Sequence, residues 1–321
     1  MDQAEVAPGS PSPPAPSPAS RIARVERHVP IAVLVLLPTL LVLWTLRNGG
    51  IVYGMDMYAG SYYIRALVGQ ELSAGRAATW DPHAMCGFPL LAGLQSCVFY
   101  PLTWLIVLVG PGTFWTLTVL LHLILVGLFT YGWLKEGLSL SPWAALVGAI
   151  VPMLSGSLLT HADAGHITQL SSYPWIAALL WRTERLLARP TLRRWTLLGA
   201  SMTMLILAGF PQFIFFSGLL LLVRFATYAV ERPDQRALRF RTLGVAAAAL
   251  IAGFLAAAPQ LLPTMELIPR CQRVTIGTFE FATSFSLPLE NLAMLIAPGF
   301  FGRDTDMYWG RSFLWEGCGF V

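Results

Sequence analysis

The chain has 321 residues, of which 55% are hydrophobic and only 12% charged, and a formal net charge of +4. A soluble globular domain carries about 25% charged residues, so this composition, with a mean hydropathy of +0.62, excludes a water-soluble globule. The small net charge gives no support to nucleic-acid binding. Apolar residues fall in runs near the roughly 17–25 residues that cross a bilayer, which makes the fold class an all-α polytopic membrane protein.

The N-terminal "MDQAEVAPGSPSPPAPSPAS" is rich in Pro, Ser and Ala and holds almost no large apolar side chain, so it cannot build a core. Residues 1–28 read as a disordered, Pro-rich cytoplasmic tail and 29–321 as a transmembrane domain. The first apolar run, "PIAVLVLLPTLLVLWTL" (30–46), is long for a secretory h-region. The "RNGGIVYG" behind it is a poor cleavage site, so the run reads as an uncleaved first span. Six more spans are predicted near 113–134, 142–159, 170–187, 195–210, 212–229 and 242–262. The shorter runs 98–110 and 291–302 read as helices lying along the outer face.

Charge orients this layout. With the N-terminus inside, the cytoplasmic segments hold Arg21, Arg24, Arg27, Lys135, Arg182, Arg185, Arg189, Arg193, Arg194, Arg224, Arg232, Arg236, Arg239 and Arg241, fourteen of the 21 basic residues. The remainder are spread through far longer outer loops, as the positive-inside rule requires. The inner connections are short and basic, so any chemistry belongs at the outer face.

The first outer loop, roughly 47–112, is too long for a structureless connection and should be folded. Asp56 stands just past the first span among Tyr53, Tyr58, Tyr62 and Tyr63. A partly desolvated carboxylate there suits a general base or a cation ligand; as an alternative it caps the next helix amid an interfacial aromatic belt. Further on, Trp80-Asp81-Pro82, Gly87-Phe88-Pro89 and Tyr100-Pro101 mark rigid turns between short helices. Between the third and fourth spans, "THADAGHITQL" brings His161, Asp163 and His166 within six residues. It is either an ordinary polar turn or part of a reaction site, in which Asp163 and His166 are candidate ligands of a divalent cation. His122, inside the second span, reads as a helix-to-helix hydrogen-bonding group. Cys86, Cys97, Cys271 and Cys318 lie on or near the outer side, where disulfides form, and Cys86 and Cys97 are candidates to pair.

An Asp after span one, then W-D-P, G-x-P, Gln95 and Y-P, resembles the YfhO family of bacterial membrane proteins, which is similar to the GT-C glycosyltransferase superfamily. The likeness continues through "YPW" (173–175), "GFPQF" (209–213), "PQLLPTMELIPRCQR" (259–273) and "SLPLENLAMLIAPGFFG" (286–302). It implies a GT-C-like fold in the bacterial inner (plasma) membrane, in a chain longer than this one. The implied activity is sugar transfer from a polyprenyl-phosphate carrier to a cell-envelope polymer or lipid acceptor at the outer face. Asp56 matches the first-loop carboxylate, and His161, Asp163 and His166 the later acidic or His-containing cluster. Tyr58, Asp81, His83 and Gln95 are the implied substrate contacts; Arg270 and Arg273, just past the seventh span, are placed either on the phosphate or, as an alternative, on lipid headgroups at the outer interface. No D-x-D occurs in the first loop; Asp304-x-Asp306 lies late in the chain. Two other functions compete: a transporter or flippase for a lipid-linked saccharide, and a non-catalytic envelope-assembly protein. The first would place ionisable groups near the bilayer midplane, where the predicted spans have almost none.

Overall fold

The computed structural model describes residues 18–48, 54, 56–231, 235–271, 277–283, 286–297, 300–302 and 308–311. Twelve α-helices occur among them: α1 (Pro18–Arg47), α2 (Tyr62–Ser73), α3 (Leu105–Val109), α4 (Pro111–Gly132), α5 (Pro142–Met153), α6 (Gly156–Ala164), α7 (Ile167–Ala188), α8 (Leu192–Leu207), α9 (Pro211–Val230), α10 (Arg236–Ala256), α11 (Ala258–Leu267) and α12 (Phe279–Thr283).

Five helical stretches are long and apolar enough to cross a membrane: His28–Arg47, Pro111–Gly137, Pro142–Ala164, Pro211–Val230 and Arg236–Ala256. At 1.5 Å per residue, the shortest of them reaches about 30 Å, the thickness of the hydrocarbon core. The two further predicted spans are the helices α7 and α8, which differ in character. α8 has only 16 residues. α7 has 22, but it is polar through Gln169, Ser171, Ser172, Arg182, Glu184 and Arg185. Its position explains the polarity. α7 lies inside the bundle, packed chiefly on α4 and α8 and touching α9 and α10 as well, so it need not match lipid. α1 and α9 do the opposite: Leu36, Leu40, Leu43, Phe215, Phe216, Leu222 and Val223 are all exposed.

Proline sets the helix breaks. The predicted span at 142–159 is two helices, α5 ending after Pro152 and α6 starting behind the Ser155 cap, whose hydroxyl accepts from the Leu158 backbone N–H. The predicted span at 242–262 likewise divides at Ala257, with Pro259 in the first turn of α11. A proline has no N–H to give and clashes with the preceding turn, so it ends one helix and starts the next. At the other end of the chain, α1 is helical from Pro18. The basic stretch "RIARVERH" is therefore helical and continuous with the first span, whose apolar length runs over His28–Arg47.

Two cores hold the bundle. One gathers Leu34, Leu123, Val126, Met153 and Leu170 from α1, α4, α5 and α7. The other joins Leu179, Leu186, Leu198, Leu205 and Ala249 from α7, α8 and α10, and takes in Cys97 and Tyr100 from the first loop. That loop is folded, with α2, α3 and short 3₁₀ turns around a small core of Val68, Ala78, Leu90 and Val98. The helix connections near Arg182–Arg194, Arg224 and Arg236–Arg241 form a basic end of the bundle; the first loop closes the opposite end.

No disulfide joins Cys86 to Cys97, which corrects the pairing considered from sequence. Cys86 is exposed, whereas Cys97 is buried as a free thiol. Its sulfur accepts a hydrogen bond from Arg65 Nη2 at 3.0 Å and lies 3.2 Å from the Ala208 carbonyl.

Candidate functional site

The turn between α6 and α7 positions the imidazoles. α6 carries His161 in its last turn and stops at Gly165 (φ +89°), and His166 stands at the N-cap of α7. Such a left-handed stop favours glycine. Gly165 is needed for a second reason: a Cβ there would strike the Met57 backbone. Gly54 has the same relation to the Asp163 carbonyl. Two glycines thus let the start of the first loop lie directly on the α6–α7 turn, and Asp56 comes in with it.

The result is a chain of three side chains. His166 Nε2 and Asp56 Oδ2 are 2.6 Å apart, and His166 Nδ1 is 2.9 Å from His161 Nδ1. With His166 neutral, the carboxylate fixes the hydrogen on Nε2. Nδ1 then accepts from His161 Nδ1–H. Both His166 nitrogens are engaged, so they are not free to ligate a cation. Asp163, two residues from His161 along the helix, is exposed and bonds to neither imidazole. No group of three or more His, Cys, Asp or Glu among the described residues is arranged to hold a metal ion. The donor set expected for a divalent cation at Asp163 and His166 does not converge. Asp56 makes no helix-cap hydrogen bond, so the capping alternative does not account for it either.

Asp56 and His166 open onto a cavity of about 220 Å³ shared with Ser61, Arg65, Gln95, Thr168, Gln169 and Phe210. Arg65 is its most unusual wall. The residue is only 2% exposed, and its Nη1 donates to the Ser96 carbonyl at 2.7 Å and to Thr103 Oγ1 at 3.1 Å. All its hydrogen-bond partners, Cys97 included, are formally neutral, and no carboxylate forms an ion pair with it among the described residues. A buried guanidinium remains charged, and buried charges are normally paired. Arg65 therefore lines the cavity alongside Asp56 with no ion-pair partner among the described residues. Burial holds the Cys97 thiol above its usual pKa, against a smaller opposing effect of Arg65, so the thiol does not neutralise this cation.

Behind Arg65 a second network fixes the loop. Tyr100 Oη is 2.8 Å from His122 Nε2 and accepts from Trp175 Nε1 at 2.9 Å, while His122 Nδ1 is 2.7 Å from the Thr118 carbonyl of its own helix. His122 is thus a hydrogen-bonding group as expected, but it joins its helix to the loop instead of to another helix.

Of the residues singled out from sequence, Asp56, Gln95 and His166 line the cavity and His161 supports His166. Tyr58 and His83 are exposed and do not line it. Asp81 is buried in its own turn, where its Oδ1 accepts from the backbone N–H groups of His83 and Ala84. Arg270 is 73% exposed, in a loose 3.8 Å pair with Glu266. Arg273, Asp304, Asp306 and Cys318 lie outside the described residues. Sequence reasoning passed over Arg65, Thr168, Gln169 and Phe210. Arg65 shares the buried face of α2 with Val68 and Gly69, a burial that the sequence around it does not announce.

Comparison with protein-family models, with curated proteins and with solved structures finds no match to this chain.

Proposed function

We propose that this chain is a GT-C-like membrane glycosyltransferase, moving a sugar from a polyprenyl-phosphate carrier to a cell-envelope acceptor at the outer membrane face. In this reading α7 and α8 also cross the bilayer, giving seven spans with the basic end cytoplasmic. One observation carries it: a carboxylate braced by an imidazole and a buried guanidinium with no carboxylate partner among the described residues line the same cavity.

The chemistry asks for that combination. Asp56 Oδ1, which has no partner among the described residues, takes the proton of the acceptor hydroxyl while His166 holds Oδ2. The acceptor oxygen bonds to the anomeric carbon as the carbon–oxygen bond to phosphate breaks. Negative charge then collects on the departing lipid phosphate, where Arg65 offsets it. His161 is a positioning residue: it holds the His166 ring and touches no substrate. Arg65 takes the role that the sequence resemblance gave to Arg270 and Arg273.

The test is transfer by the purified chain in proteoliposomes supplied with a polyprenyl-phosphate-linked sugar and an envelope acceptor extract. The wild type should transfer sugar and Asp56→Asn should not. Full activity of a normally folded Asp56→Asn variant overturns the assignment of the base.

A further inference from the structure

At the basic end a groove of about 640 Å³ opens between the N-terminal turns of α8 and α10. The two helices run side by side and are closest at Gly199 and Gly253, where a Cβ on either residue would collide with the other backbone. Thr203 Oγ1 reaches across to the Gly253 carbonyl at 2.8 Å. Toward their N-termini a gap opens, lined by the buried Thr242 and the half-buried Trp195 and Val245, with Thr191, Leu192, Leu238 and Arg241 exposed around it. The lining is thus mostly apolar, with the Arg241 cation among its exposed residues.

We propose that it holds an anionic phospholipid, with the headgroup phosphate on Arg241 and an acyl chain along Trp195 and Val245. Charge complementarity selects this occupant. Glu136, Glu184 and Glu231 at this end are each already bonded to an arginine. The Arg189, Arg193 and Arg241 side chains have neither a hydrogen bond nor an ion pair with any described residue. The N-terminus of α8, with Thr191 as its cap, adds the positive end of a helix dipole to the same gap. Basic pockets between membrane helices suit acidic headgroups, and the apolar lining distinguishes this one from a flat basic surface. The site is separate from the Asp56 cavity and does not depend on the activity proposed for it.

Native mass spectrometry of the whole protein tests it, using phosphatidylglycerol and phosphatidylcholine of identical acyl chains. The wild type should retain phosphatidylglycerol in preference. Arg241→Gln, which removes an exposed side chain with no partner among the described residues, should weaken that retention at least tenfold. Val245→Trp should do the same by filling the groove with charge unchanged. Arg236→Gln, whose guanidinium lies over the Phe240 ring and does not line the groove, should retain lipid as the wild type does. Equal retention of phosphatidylcholine overturns the proposal, as does an Arg236→Gln loss matching that of Arg241→Gln, which would indicate diffuse attraction to a basic surface.

Discussion

His166 Nε2 and Asp56 Oδ2 stand 2.6 Å apart although 110 residues separate them in the chain. The contact depends on backbone approach at Gly54 and Gly165, and Gly165 is also left-handed. Gly165→Ala should therefore separate the pair. The strain and collision should cost about 1–3 kcal/mol locally, while the helices remain inserted. Thermal unfolding of the purified protein should show a modest shift alongside a large loss of sugar transfer; a loss of transfer with no shift would point away from strain at this turn.

The side chains of the Asp–His–His chain act as a unit, so their losses should not add. Asp56→Asn and His166→Ala should each lower kcat by about 10²–10⁴, the usual range for a positioned acid–base group. The double variant should be little worse than either alone. His161→Ala, one step removed, should lose less, and chiefly in kcat. Single-turnover transfer rates for the four variants check this, and multiplicative losses would show that the groups work separately.

Arg65 should govern affinity for the phosphate-bearing donor. Arg65→Lys keeps the charge but not the planar fork that serves Ser96, Thr103 and Cys97 together, so it should rescue donor binding only partly. Arg65→Met should raise the donor KM by at least about tenfold, as expected when a charge-assisted contact is lost. Arg270→Gln should leave KM within about twofold, because so exposed a pair contributes little. Donor titration of the three variants ranks them; an Arg270→Gln effect larger than that of Arg65→Met would reverse the assignment.

Three cysteines differ in environment and should differ in reactivity. Cys86 and Cys271 are exposed and should react with a water-soluble maleimide in the native protein. Cys97, buried and with its thiol held above its usual pKa by that burial, should react only after unfolding, because the thiolate is the reactive form. Mass spectrometry of the labelled protein counts the adducts. Labelling of Cys97 at the rate of Cys86 would mean that the Arg65 pocket opens freely.

Hydropathy revealed the lipid-facing helices well because α1 and α9 present apolar residues on almost every side. It described α7 less well, since a helix enclosed by other helices can carry Gln169, Ser172 and Glu184 without meeting lipid. The site was half legible for a related reason. Asp56, His161 and His166 stand out as ionisable residues at the ends of apolar runs. Which of them meet depends on two missing Cβ atoms and on helical phase, which turns Asp163 away from His161. Asp81 looked equally chemical in sequence but is occupied by its own turn. Arg65, concealed within the "YYIRALVG" of α2, becomes conspicuous only when its neighbours prove neutral.

The first loop is fastened by residues made long after it. Cys97 meets the Ala208 carbonyl, and Gln260 Nε2 and Thr264 Oγ1 reach back to the carbonyls of Leu91 and Ala92 at 2.7 and 3.0 Å. Synthesis runs from the N-terminus, so these attachments cannot form until α8 and α11 have left the ribosome. During translation the loop has to wait, with the Leu91 and Ala92 carbonyls served by solvent, and nascent chains halted before residue 260 should remain open to protease at this loop.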